Sequence, residues 1–229
     1  MKMLCLIKPA RAFLISGLFL TLSCQTNFSS ATQTNTPFSI SSSAAAAAEP
    51  KSAEIQSNEI KKLLESAVKQ TSLTKSYDPN YTVIAYPNGD VPAEKGVCTD
   101  VVVRAFRAAG VDLQKEIHED MTANFTLYPK KWNLKSPDAN IDHRRVPNIQ
   151  TFFTRRGKSL PVTKNAADYK PGDVVTWDLN GKGMTHVGLV SNFYNQNTGR
   201  YSIIHNIGAG ALAEDILFDW QITGHFRYF

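Results

Sequence analysis

The apolar residues of this chain change their period partway along, and that change limits the folds open to it. Ile60, Leu63, Leu64, Ala67 and Val68 recur at helical spacing, which predicts an amphipathic helix over residues 53–70. Val101, Val102, Ala105, Phe106 and Ala109 predict a second helix over 98–109, closed by Gly110 just past its end. The three consecutive valines at 101–103 would also fit a strand, but the spacing and the closing glycine favour helix. Leu113, Ile117, Met121 and Phe125 step by four behind Asp112, a residue suited to cap a third helix. After Pro171 the texture differs. Residues 174–177, 187–191 and 201–206 are short β-branched or aromatic runs, separated by Asn180-Gly181 and by the polar stretch 195–199. Residues 81–87 read as an extended segment ending in the turn Pro87-Asn88-Gly89-Asp90. Residues 126–160 read as a long ordered loop with one short helix over 148–155, and 217–229 as the source of a last strand. Helices first and strands afterwards is the α+β pattern: N-terminal helices packed on an antiparallel β-meander.

The ends of the chain differ in kind. Lys2, Lys8 and Arg11 precede a short apolar run over 12–22, the make-up of a secretion signal too short to span a bilayer. The run ends in Leu20-Thr21-Leu22-Ser23-Cys24, which resembles the lipobox of bacterial lipoproteins. The resemblance implies a signal peptide over 1–23 and a lipid on Cys24. Gln25, a residue other than Asp after the cysteine, implies sorting to the outer membrane facing the periplasm in a Gram-negative cell. Residues 24–52 are rich in Ser, Thr and Ala with almost no charge, and read as a flexible tether. Residues 53–229 then form one domain, long enough for a real core, and we expect a monomer. Three of the five net positive charges belong to the leader, which leaves +2 for the remainder. That excludes a nucleic-acid partner, which needs a clustered basic surface.

Cysteine arithmetic points to the chemistry. With Cys5 removed and Cys24 lipidated, Cys98 is the remaining thiol, and in an oxidising envelope it can form no internal disulfide. It opens the second helix after Gly96-Val97, where free N–H groups and the helix dipole favour a thiolate. A lowered thiol pKa is therefore expected; the alternative is a small buried cysteine opening a helix. A thiol nucleophile needs an imidazole base and a group that orients it. His186 starts one strand and His205 ends the next, so adjacent strands can set the two rings side by side. His118 reads as a solvated helix face, His225 as packing, and His143 lies in Asn140-Ile141-Asp142-His143-Arg144-Arg145. Arg144 and Arg145 can offer planar donor forks to substrate carboxylates, or can serve neighbouring aspartates and loop carbonyls.

Gly96-Val97-Cys98, the turn Lys170-Pro171-Gly172-Asp173 before a strand, Thr185-His186-Val187-Gly188 and Ile203-Ile204-His205 together resemble the NlpC-type cell-wall cysteine peptidases. That resemblance implies a papain-like fold and hydrolysis of amide bonds in peptidoglycan stem peptides. It implies Cys98 as nucleophile, His186 as base, His205 as the orienting residue and Tyr86 near the oxyanion, with no cofactor and no metal. Val97 before the cysteine and Thr99-Asp100 after it depart from the usual Asp or Asn before and Ser-Gly after. Within that superfamily the stretch from Tyr86 to Tyr228 resembles the bacterial domain of unknown function 1287. The segments that carry this are Gly96 to Asp100, His118-Glu119-Asp120-Met121, 140–148 and His205-Asn206-Ile207-Gly208. Asp100 and Asn206, which stand in these segments, are counted with Arg144 and Arg145 as substrate-binding residues. Two other functions fit the same residues: a non-catalytic module that holds cell-wall peptides, and a transferase that passes the acyl group to an amine. The anchor has its own test. Cys24→Ala should move the protein from the membrane fraction to the soluble fraction, and a variant that stays membrane-bound rules the lipid tether out.

Overall fold

The computed structural model describes residues 58–229. The leader, Cys24, the tether and the first residues of the expected first helix lie outside the described residues. Helix α1 (Asn58–Leu73) runs three residues past its expected end and buries Leu63, Leu64 and Ala67. Helix α2 (Cys98–Ala108) is buried on more than one side, valines 101–103 included, because it lies between α1 and the sheet. That double burial explains why its apolar residues include the consecutive valines 101–103, which a helix with a single buried face would not need. Gln70 joins the two helices, its Nε2 donating to Val101 O at 3.0 Å. Helix α3 (Leu113–Asn124) begins on the expected cap, Asp112, whose carboxylate accepts Gln114 N–H at 3.2 Å. Helix α4 (Val146–Arg155) starts two residues earlier than expected, with Pro147 in its first turn, where the missing N–H has no helical partner to lose.

Strands β1 (Ser76–Tyr77) and β2 (Lys95–Gly96) form a short parallel pair that sets Tyr77 opposite Gly96. The main sheet is antiparallel. It holds β3 (Ser159–Leu160), β4 (Val174–Asp178), β5 (Thr185–Asn195), β6 (Arg200–Asn206), β7 (Ala211–Glu214) and β8 (Gln221–Phe226) in the order β3-β8-β4-β5-β6-β7. Strands β4 to β6 are the expected meander, and β7, which the sequence did not announce, continues it. The last strand departs from it, returning to pair with β4 on the other side. The chain between β7 and β8 crosses the sheet to get there, burying Ile216 and Leu217, and Leu217 O accepts the Trp177 indole N–H at 3.0 Å. Residues 81–87 pair with no strand. Ile84 N–H goes to the Asn140 side chain, and Ala85 O receives Gln114 Nε2.

The alternation of strand side chains separates two cores. Val174, Val187, Leu189, Ile204 and Phe226 meet the helices, where Phe106 and Phe153 pack tilted with centroids 5.5 Å apart. Val175, Trp177, Val190 and Ile203 face away from the helices and pack with Tyr169, Ile216 and Leu217.

One buried ion pair joins the pieces. The Asp100 carboxylate accepts Val97 N–H at 2.6 Å and so caps α2 from within its first turn. It also holds the Arg144 guanidinium through two parallel bonds, at 2.9 and 3.0 Å. Arg144 donates further to Asn80 O and Asp78 O at 2.9 and 3.1 Å. Arg144→Leu should therefore leave an uncompensated buried carboxylate and lower stability by about 3–5 kcal/mol in urea denaturation. The double variant Asp100→Leu/Arg144→Leu should lose less than the two single losses combined. Single losses below about 1 kcal/mol, the scale of an exposed pair, would mean that this tie does not hold the helix end.

Candidate active site

Cys98 is the first residue of α2, and the backbone before it is held from three directions. Tyr77 pairs with Gly96, Asp100 takes Val97 N–H, and the Asn206 side-chain amide donates to Gly96 O at 3.0 Å and to Ser76 O at 3.2 Å. The thiol is 5% exposed. It lines a cleft of about 250 Å³ shared with Tyr77, Trp132, Arg145, Pro147 and Thr185, among others. Burial pushes its pKa up to about 11; the N–H groups of Val187, Thr99 and Cys98 itself pull down, while the Asp100 carboxylate adds to the rise. This reverses the expectation of a lowered thiol. The sulfur sits where a helix N-terminus favours charge, but desolvation outweighs that, and the nearby Arg144 is already matched by Asp100.

The two imidazoles meet as expected. His186 Nε2 and His205 Nδ1 are 2.9 Å apart, and His205 Nε2 lies 2.9 Å from Glu214 Oε2. A carboxylate only accepts, so His205 carries its proton on Nε2 when neutral and accepts at Nδ1. His186 must then donate from Nε2, which leaves its Nδ1 as a lone pair. Burial, with His205 as its neighbour, drives His186 down to about 3, so the ring rests neutral. Burial also lowers His205, against the pull of Glu214. Gly188 makes room for the pair: a Cβ there would stand 2.5 Å from Ile203 Cγ2 and 3.2 Å from His205 Cβ.

The thiol and the imidazole pair leave the sheet on different sides. Cys98 belongs to the helix-side core with Val187, whereas the His186 ring packs against Trp177 and Trp220 in the other layer. Among the described residues no hydrogen bond joins the Cys98 sulfur to His186. The sulfur meets this strand at Val187 N–H, one residue further along.

The remaining expected site residues scatter. Arg144, Asp100 and Asn206 are buried and make their bonds within the fold, and of the three only Arg144 lines the cysteine cleft. Tyr86 is 44% exposed, with its ring edge-on to His118 at 5.1 Å, and does not line the cysteine cleft. The tyrosine beside the thiol is Tyr77, raised to about 12 by burial and by the neighbouring Cys98 and Asp100. Arg145 also lines the cleft, its guanidinium 4.3 Å from the Trp132 ring centre and its NH1 3.7 Å from the buried Asp142 carboxylate. His118 is not a solvated group: its Nδ1 lies 3.7 Å from the buried Asp142 carboxylate. His225 packs on Tyr169 as expected and also bonds Asp173, which Arg227 holds as well. His143 is buried and lowered to about 4 by desolvation, with Arg144 adding to it. Tyr77, Trp132 and Glu214 went unseen in the sequence. Tyr77 and Trp132 stand in no motif, and Glu214 lies on a strand with only one large apolar residue to signal it.

The family model described as Domain of unknown function (DUF1287) matches residues 64–228. The uncharacterized protein YijF of Escherichia coli (strain K12) is 50% identical over 194 residues, covering 85% of this chain and 94% of that protein. Among solved structures, that of NlpC1 from Trichomonas vaginalis aligns with a TM-score of 0.41 and 11% sequence identity, over 79% of this chain. The alignment covers 48% of that structure's chain, so this chain spans about half of its length.

The buried histidines make stability depend on pH. His186 and His143 titrate in the fold far below the roughly 6.5 of a free imidazole, so the unfolded chain takes up protons that the fold refuses. Their contribution is whole above about pH 6.5 and falls as pH drops from there toward 4, by up to about 1.4 kcal/mol per pH unit for each ring. Thermal melting between pH 7 and 5 should show this fall, and His143→Leu should make it shallower. A melting temperature that does not change over that range would mean these rings are not held neutral.

Proposed function

The chain belongs to the DUF1287 family, and from that premise we propose that it is a cysteine amidase or peptidase of the cell envelope, acting on peptidoglycan stem peptides. The observation that carries the reading is the His186–His205–Glu214 chain beside the strand residue that meets the Cys98 sulfur. Such a chain leaves a lone pair on His186 Nδ1, as a general base for a thiol requires. Thiol and imidazole both rest neutral, because burial pushes the first up and the second down. Hydrolysis requires the Sγ proton to reach His186 Nδ1 as the sulfur closes on the amide carbonyl carbon, although the two side chains stand on opposite faces of β5 in this structure. The tetrahedral oxyanion takes donation from the Cys98 N–H and the Tyr77 hydroxyl. Collapse expels the amine, which receives its proton from His186, and water then releases the acid from the thioester. Arg145, stacked on Trp132 in the cleft, takes a carboxylate of the peptide. A lipid on Cys24 would hold the domain at the outer membrane, facing its substrate in the periplasm.

A second reading, a non-catalytic module that holds such peptides, is favoured by the raised thiol and by the side chains of Cys98 and His186 lying in different layers. Mass spectrometry of muropeptides incubated with the purified chain separates the two. Hydrolysis predicts shortened peptides that vanish with Cys98→Ala. Unchanged peptides that still bind would favour the module, and new cross-links would indicate acyl transfer. Arg145→Gln should raise KM roughly ten- to a hundredfold with kcat little changed, the loss expected for one charge-assisted contact made in ground and transition state alike.

A further inference from the structure

We propose that the cysteine cleft is one half of a longer groove, and that Lys131 is a specificity residue in the other half, where it takes a second carboxylate of an acidic peptide. This rests on the peptide reading of the cleft, and it holds for hydrolase and binding module alike. A space of about 490 Å³ adjoins the cleft, and Pro147 and Thr185 line both. Lys131 lines the adjoining space and Trp132, the next residue, lines the cleft, so one loop runs along both halves. The adjoining space falls within the roughly 300–1,000 Å³ of pockets that enclose drug-sized ligands, so it can admit part of a peptide beyond the cleft. His186 and His205 line neither half.

Charge selects the occupant. The cations that line the groove are Lys131, Arg144, Arg145 and Arg155, and no Asp or Glu lines either half. Two of these cations are matched from outside it, Arg144 by Asp100 at 2.9 Å and Arg155 by Asp120 at 2.7 Å. Arg145 stands 3.7 Å from Asp142, too far for a hydrogen bond, and Lys131 makes no ion pair among the described residues. The cations left to a ligand therefore lie one in each half. A single anion would engage one of them, whereas two carboxylates on one chain engage both. Gln150 adds a peptide acceptor to the second half. Its Nε2 donates to the Thr176 and Thr223 hydroxyls at 2.7 and 3.1 Å, which fixes the side chain and leaves Oε1 to accept a peptide N–H. Leu127 and Phe226 give the same space apolar surface. Separated cations, an amide acceptor and apolar wall suit a short acidic peptide; a polyphosphate would need donors gathered at one point. Lys131 is exposed, so its contact is weaker than one made in a closed pocket and weakens further with salt.

Calorimetry on the full chain tests this, with Cys98→Ala present throughout so that a bound peptide stays whole. The probes are a peptidoglycan stem tripeptide and the same tripeptide amidated at one carboxylate at a time. Lys131→Gln should weaken binding of the unmodified tripeptide roughly three- to tenfold, and Lys131→Arg, which keeps the charge, by less than about twofold. For one amidated form Lys131→Gln should add no further loss, a coupling that a merely structural role would not give. Arg145→Gln should couple in the same way to a different carboxylate. Equal losses in Lys131→Gln with every amidated form overturn the inference, as does unchanged binding in Lys131→Gln where Arg145→Gln weakens it; either result leaves the peptide reading in place. If the tripeptide does not bind and muropeptides also pass unchanged through the wild-type chain, the peptide reading itself fails, and the second carboxylate subsite fails with it.

Discussion

The buried pair of Asp100 and Arg144 is the tie on which the cleft depends. One carboxylate caps the helix that begins at Cys98 and holds the guanidinium that gathers in the carbonyls of Asp78 and Asn80. Tyr77 lies just before those carbonyls, and Arg145 and Pro147 just after the arginine, so the walls of the cleft inherit their positions from this pair. Such a pair adds little net stability over an apolar replacement, because desolvation takes back most of the attraction. What it supplies is direction. A guanidinium offers donors in a plane, and only one approach of the 142–144 turn satisfies the carboxylate and both carbonyls together.

Burial then decides the resting chemistry. A helix N-terminus alone would draw the Cys98 thiol toward its charged form, but the sulfur is enclosed and the nearest guanidinium is already neutralised, so the thiol is pushed up. The same desolvation pushes His186 down. The two shifts keep both groups neutral, and a neutral thiol resists the oxidants that attack thiolates.

Much of the fold was legible in the residues. The four helices lie where spacing of three and four, Asp112 and Gly110 put them, and the meander lies where short β-branched runs put it. The Cys98 helix start and the meeting of His186 with His205 also follow from sequence order, since consecutive antiparallel strands are neighbours. The sequence misled at the arginines. Arg144 and Arg145 look equivalent as a pair of cations in a loop, and both line the cleft, yet Arg144 is held by Asp100 and two loop carbonyls while Arg145 lies on Trp132. The resemblance implied Tyr86 near the oxyanion, but the parallel pairing of Ser76-Tyr77 with Lys95-Gly96 brings Tyr77 beside the sulfur instead. Two-residue strands leave no periodic trace that could have announced that pairing.

Periodicity, caps and turn residues are local signals, and they determined the α+β class, the helix that presents Cys98 and the two histidines that share a hydrogen bond. They act over a few residues because they arise from backbone geometry and from the burial of one face. The partners of buried charges, the side of the sheet on which each strand residue falls relative to a helix, and the shift of each pKa depend on groups far apart in the chain. Asp100 and Arg144 are 44 residues apart. Desolvation is a property of everything packed around a group, so the rise of the thiol, the fall of the imidazole and the choice of Glu214 as their last acceptor were decided only by the tertiary structure.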